Sequence, residues 1–206
     1  MMITNFSETI GMNSLYGFEK ECISKYGKPM YDQFTDFFNC LPLGHIINGR
    51  ILVVHGGLFC DQTVTINDLN TNPKYNRFSQ PPQSGPINDI LWSDPMIRNG
   101  FAPSPRGITS TFGPDITEQF LQKNHLELLI RSHQVQERGF LEMHNQKCIT
   151  IFSAPNYIGQ MSNLGAVMRI SFNENGSIKD KEFQTFEARP IPDAYPPMKY
   201  ASFNFY

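Results

Sequence analysis

Two apolar runs in this chain stop on a histidine. In "ILVVHGGLF", residues 51 to 59, four apolar residues read as a buried strand that ends on His55, and Gly56 and Gly57 then let backbone or ligand come close. "LELLIRSH" repeats the pattern and stops on His133, while a third run, "KCITIFSAPNY", leads through Pro155 and Asn156 to Tyr157. A fourth polar group, Arg106, lies in a loop bounded by Gly and Pro. Strand ends of one α/β sheet share an edge, so these four residues, far apart in sequence, can converge there. An imidazole at such an edge is a metal ligand or a hydrogen-bonded end of a strand. Arg106 alone reads equally as a salt-bridged loop residue, and Tyr157 as a core ring with its hydroxyl at the surface. His45, His125 and His144 stand in polar or turn contexts and read as structural.

The elements that must position these groups follow from periodicity. "SLYGFEKECISKYGKPMYDQFTDFFNCLPL" carries apolar residues at helical spacing on both sides of Gly27-Lys28-Pro29, which predicts two amphipathic helices with a break. A short helix opens near Thr65, "FSQPPQSGP" is a loop, "INDILWSDP" is a helical turn ending at Pro95, and "MIRNGFAPSPRG" is another loop. Asp115 is the expected cap of a helix with Phe120 and Leu121 on its inner face. Between His133 and "KCITIF" the pattern fits a helix or a hairpin, and "NLGAVMRISFN" pairs with "IKDKEFQTFE" around "ENGS". The tail, residues 187–206, is proline-rich but too aromatic for a free linker, so it is expected to pack on something.

At 206 residues the chain suits one domain with a full-sized core, or one plus an incomplete second. Its 17 basic and 19 acidic residues leave a net charge of -2, which gives no electrostatic reason to propose nucleic acid or an anionic membrane as partner. The longest apolar run falls well short of the ~18 residues of a membrane span, and "MMITNFSETIG" lacks the basic cluster and apolar core of a signal peptide. Cys22, Cys40, Cys60 and Cys148 form no CxxC pair, which points to reduced thiols and an intracellular setting, cytoplasm or nucleus.

"HGGL", "LWSDP", "RG" followed by "FGPD", "IRSHQV" and "FSAPNY" occur in this order and at these spacings. Together they resemble the C-terminal half of the phosphoprotein phosphatase family of metal-dependent Ser/Thr phosphatases. "INGRILVVHGGLF", "QPPQSGPINDILWSDP" and "PPMKYAS" are most similar to its type-5 branch. The resemblance runs from about Met12 to the end. It implies the α/β calcineurin-like metallophosphatase fold, an α/β/β/α sandwich, with residues 1–206 as the C-terminal portion of one catalytic domain. It further implies two metals, manganese, iron or zinc, and a metal-bridging hydroxide that attacks the phosphorus of a phosphoserine or phosphothreonine of a phosphoprotein. By that resemblance His55 and His133 ligate the second metal, Arg106 holds the phosphate with its guanidinium fork, and Tyr157 lines the site beside it.

The family also carries GDxHG, GDxxDRG and GNHE, which supply the first metal, its bridging aspartate and the general acid. The first two motifs are not in this sequence, and aligning "MNSLYGF" sets Asn5 to Glu8, "NFSE", over the third. Only Glu8 matches: Phe6 replaces the asparagine ligand and Ser7 the general acid histidine. Two imidazoles seldom hold a divalent ion in a closed site. The expectation is a sandwich lacking its N-terminal strands, catalytically incomplete as a lone chain. Three explanations stand open: a truncated product, a pseudophosphatase serving as a scaffold subunit, or a fragment completed by another chain. A protein partner covering the absent strands is expected.

Overall fold

The computed structural model describes residues 3–75, 78–190 and 200. Of the tail expected to pack, residues 187–206, the stretches 191–199 and 201–206 therefore lie outside the described residues.

After a one-turn 3-10 helix at Phe6–Glu8, helices α1 (Ile10–Tyr16), α2 (Phe18–Tyr26) and α3 (Lys28–Asn39) follow in close succession. The break at Gly27 is present, with Pro29 in the first turn of α3 where its missing N–H is harmless. Gly17, at φ 94°, adds a second break, so the two expected helices are three. Helices α2 and α3 pack on each other through Phe18, whose ring meets Tyr31, Phe34 and Phe38.

The remaining elements are β1 (Gly44–Ile47), β2 (Ile51–Val54), α4 (Ile66–Thr71), α5 (Pro86–Trp92), β3 (Asp94–Pro95), β4 (Phe101–Pro103), β5 (Ser110–Phe112), α6 (Pro114–Lys123), β6 (Leu128–Arg131), β7 (Phe140–Met143), β8 (Cys148–Ile151), β9 (Gly165–Phe172) and β10 (Ile178–Phe186). Thr65 caps α4 as its side chain suggests, accepting from the Asp68 N–H. Asp115 does not cap α6: Gly113 is the N-cap, and the Asp115 carboxylate instead accepts the Gly100 N–H at 2.7 Å, tying the preceding loop to the helix. That loop is not wholly irregular, because Phe101–Pro103 pairs with β5. Where a helix or a hairpin was open, the structure has a hairpin, β7 against β8.

One five-stranded sheet, in the order β1-β2-β6-β8-β7, organises the site. Its central strands β2, β6 and β8 run parallel and in register, Val53 opposite Ile130 and Ile130 opposite Ile149. Both faces of these strands are covered, which is why they read as unbroken apolar runs. On one face Leu52, Val54 and Leu129 pack with Leu69 of α4, Ile87 and Ile90 of α5, and Phe120 of α6. On the other, Ile51, Leu128, Ile130 and Ile149 meet Met168, Ile170, Phe172 and Phe183 of the β9–β10 hairpin. The layers are thus helices, sheet and hairpin. Among the described residues no helix covers the hairpin's outer face, where Val167 and Phe186 are 48% and 39% exposed.

Candidate functional site

The parallel register brings His55 and His133 together. Both follow adjacent strands, and the Ser132 N–H donates to the His55 carbonyl at 3.0 Å, continuing the ladder one step past β2 and β6. The chain then turns sharply at each histidine. Gly56 and Gly57 both donate to the Ile90 carbonyl, at 2.7 and 3.2 Å, which seats the loop against the end of α5. A Cβ on Gly56 would lie 2.6–2.7 Å from backbone atoms of Ile90, Leu91 and Trp92, so no other residue fits this approach. His133 adopts φ +64°, a left-handed conformation that disfavours a side chain by about 1 kcal/mol or more and that recurs at functional sites.

The imidazole centroids are 5.1 Å apart, a span one ion can bridge with metal–nitrogen bonds of about 2 Å. Nε2 of both rings is buried and has no hydrogen-bond partner. Nδ1 of His133 is 3.2 Å from Asp94 Oδ1, close enough for charge contact but not aligned as a hydrogen bond.

Asp94, at the start of β3, joins the histidines to Arg106. Its Oδ2 accepts the Arg106 Nε–H at 2.7 Å and its Oδ1 accepts Arg131 Nη2–H at 2.6 Å. Arg131 is wholly buried, and it also donates to the Gly56 carbonyl at 2.5 Å and to Gln134 Oε1 at 2.8 Å. Arg106 is anchored through Nε, with its side chain still 35% exposed. Tyr157 stands six residues past β8, in a 3-10 turn held by the Asn163 side chain, and its ring packs edge-on against Phe152. The structure therefore links His133 and Arg106 through Asp94, sets His55 against His133, and leaves Tyr157, 42% exposed, in a turn of its own packed on Phe152. His144 is a structural bridge from Thr117 Oγ1 to the Met96 carbonyl.

Asp94 and Arg131 were not singled out from the sequence as site residues. The signal for Arg131 was present: an arginine inside a buried strand, "LLIRS", requires a buried anion.

Electrostatically the site holds neutral histidines beside a firmly ionised carboxylate. Burial, then the neighbouring His133 and Arg131, push the His55 imidazole down to about 3. Burial lowers His133 too, although Asp94 opposes it. Burial works against ionisation of Asp94, but the contacts with His133, Arg131 and Arg106 outweigh it and hold the carboxyl well below the usual range. Burial likewise lowers His144.

These shifts set an acid sensitivity. An unfolded chain binds protons on its histidines below about pH 6.5, whereas the folded chain does not until lower pH. Stability is therefore full above about pH 6.5 and falls as the pH drops from there toward 3, by at most ~1.4 kcal/mol per pH unit for each histidine. Glu8, raised chiefly by burial, acts in the opposite sense. The melting temperature at pH 5 is expected below that at pH 7.5, with a shallower dependence in His55→Gln; a melt independent of pH would contradict the assignment.

The two-metal centre implied by the sequence resemblance can be tested against this donor set. The orphaned Nε2 atoms suit ligation, but among the described residues no group of three or more His, Cys, Asp or Glu could hold an ion. Where a third donor would stand, the Phe6 ring lies 5.4 Å from His55 and 5.1 Å from His133. Ser7 is exposed and its N–H donates to Asn5 Oδ1, while the Glu8 carboxylate accepts the Asn5 N–H and side-chain amide in a capping box. The residues brought together do not make a two-metal centre.

Residues 8–137 match the model of the family described as calcineurin-like phosphoesterase. Serine/threonine-protein phosphatase T of Trypanosoma brucei brucei is 49% identical over 95% of this chain and 40% of its own length. Human serine/threonine-protein phosphatase 5 is 45% identical over 95% of the chain and 38% of its own length. The chain thus spans about two fifths of these relatives. The solved structure of a protein serine/threonine phosphatase from Saccharomyces cerevisiae, with similarity to human phosphatase PP5, superposes with a TM-score of 0.83 at 39% identity, over 93% of this chain and 61% of that one. The chain belongs to the calcineurin-like phosphoesterase family, and its relatives there are serine/threonine protein phosphatases of the type-5 and T kind.

Proposed function

We propose that this chain supplies the phosphate-facing side of a protein serine/threonine phosphatase catalytic domain and that, as a lone polypeptide, it binds a phosphoserine or phosphothreonine segment without hydrolysing it. The family implies divalent metal cofactors. Manganese, iron or zinc would be held by His55 and His133 only together with donors beyond those gathered here.

The carrying observation is Arg106, whose guanidinium is fixed through Nε to the buried Asp94 while the side chain remains at the surface. A planar fork held on one edge suits two parallel bonds to phosphoryl oxygens. Tyr157, exposed in the turn that follows β8, would line the same phosphate. In this reading the described segment is one part of a single catalytic domain. An intracellular setting, cytoplasm or nucleus, belongs to the same proposal and is supported by four cysteines that remain thiols.

Anisotropy titration of a labelled phosphoserine peptide tests the reading. A charge-assisted contact of about 1.5–3 kcal/mol corresponds to a preference of roughly 10-fold or more over the unphosphorylated peptide. That preference is expected to vanish in Arg106→Ala. Equal binding of both peptides by the unaltered chain would overturn it.

A second reading, a pseudophosphatase that serves as a scaffold for other proteins, is favoured by the Phe6 ring against the imidazoles. The outer hairpin face with Val167 and Phe186 is where a protein partner would be sought.

A further inference from the structure

Four rings meet at the mouth of the sheet. The centroids of Phe6, His55 and His133 form a nearly equilateral triangle with sides of 5.1, 5.1 and 5.4 Å, and Trp92 backs Phe6 at 4.4 Å. Two corners carry a buried Nε2 with no partner; the third is a hydrocarbon ring with no donor atom.

Phe6 is delivered there by a well-tied turn. The Thr4 N–H donates to the Pro42 carbonyl at 2.9 Å, Asn5 and Glu8 close a capping box, Thr9 Oγ1 donates to the Phe6 carbonyl at 2.8 Å, and the Ile10 N–H donates to Gln80 Oε1 at 2.8 Å. Bonds on both sides of Phe6 reach into the body of the fold. The ring is therefore not a loosely draped terminus.

We propose that Phe6 is an internal plug: it occupies the third donor position of a latent three-nitrogen site and so keeps divalent cations off the His55–His133 pair. Imidazole pairs favour borderline ions such as zinc and cobalt over magnesium. A structural zinc site takes four ligands, and a catalytic one three protein ligands with water in the fourth place. A phenyl ring at the third corner supplies no donor atom to such a set. The inference stands on the ring geometry and does not require that the chain meet a phosphoprotein.

Zinc affinity by calorimetry, with cobalt(II) as an optical probe, tests it in the unaltered chain, Phe6→Ala, Phe6→His and Phe6→His/His133→Ala. The unaltered chain is expected to bind zinc weakly, Phe6→Ala about 10-fold more tightly through admitted water, and Phe6→His at least ~100-fold more tightly, with the intense visible band of four-coordinate cobalt(II). The double variant is expected to lose the gain. The proposal is overturned if the unaltered chain binds zinc as tightly as Phe6→His, or if the gain survives His133→Ala. Circular dichroism checks folding of each variant, and if Phe6→His does not fold, Phe6→Ala decides: no gain over the unaltered chain overturns the plug.

Discussion

Replacing Asp94 with Asn is expected to remove about 3–5 kcal/mol of stability, because it leaves Arg131 as an uncompensated charge in the interior. The Arg131 side chain has no exposed surface, and its other partners, the carbonyls of Gly56 and Ser93 and the amide of Gln134, are neutral. None can take up the countercharge. For a chain of this size each kcal/mol shifts the melting temperature by roughly 2–4 °C, so a loss of the order of 10 °C is expected. Two controls separate charge from shape. Arg106→Ala, which removes a partly exposed partner of the same carboxylate, is expected to change stability far less. Asp94→Asn combined with Arg131→Met is expected to recover much of the loss, since an apolar replacement of a buried pair is often neutral. An Asp94→Asn chain that melts within about 2 °C of the unaltered protein would show that Arg131 finds its compensation elsewhere.

The ease with which the sheet can be read from the sequence has a definite origin. Strands covered on both faces are predominantly apolar, so β2, β6 and β8 stand out, and their shared direction places their end residues on one edge. His55 and His133 were legible for that reason. The three-stranded sheet of β3, β4 and β5 was not, because strands of two or three residues are too short to show alternation. Gly17 was overlooked as a helix break because the apolar spacing continues across it. The site's electrostatic centre was hidden for a different reason. Asp94 lies 37 residues from Arg131, and only the fold reveals that one carboxylate serves two guanidiniums.

Phe6 combines both kinds of legibility. Alignment of "NFSE" set it over a ligand position, and the structure puts its ring against both histidines. The capping box that holds it is readable in principle, as Asn5 followed three residues later by Glu8, but a single turn this short leaves no periodic signal to mark it as a helix.

Catalysis carries the largest expected effect. Attack on a phosphate monoester by this family's chemistry needs a hydroxide formed between two cations, and the described residues gather two imidazoles where such a centre requires donors for both ions. The leaving alkoxide needs an acid, yet the residue aligned with that role, Ser7, is exposed and its hydroxyl does not release a proton near neutral pH. Either deficit alone lowers a rate by orders of magnitude. The direct measurement is hydrolysis of a phosphoserine peptide and of p-nitrophenyl phosphate by the pure 206-residue chain in manganese, with His133→Ala and Phe6→Asn/Ser7→His assayed beside it. Release of phosphate at the buffer rate by all three is the predicted result. Manganese-stimulated turnover by the unaltered chain, abolished in His133→Ala, would contradict it.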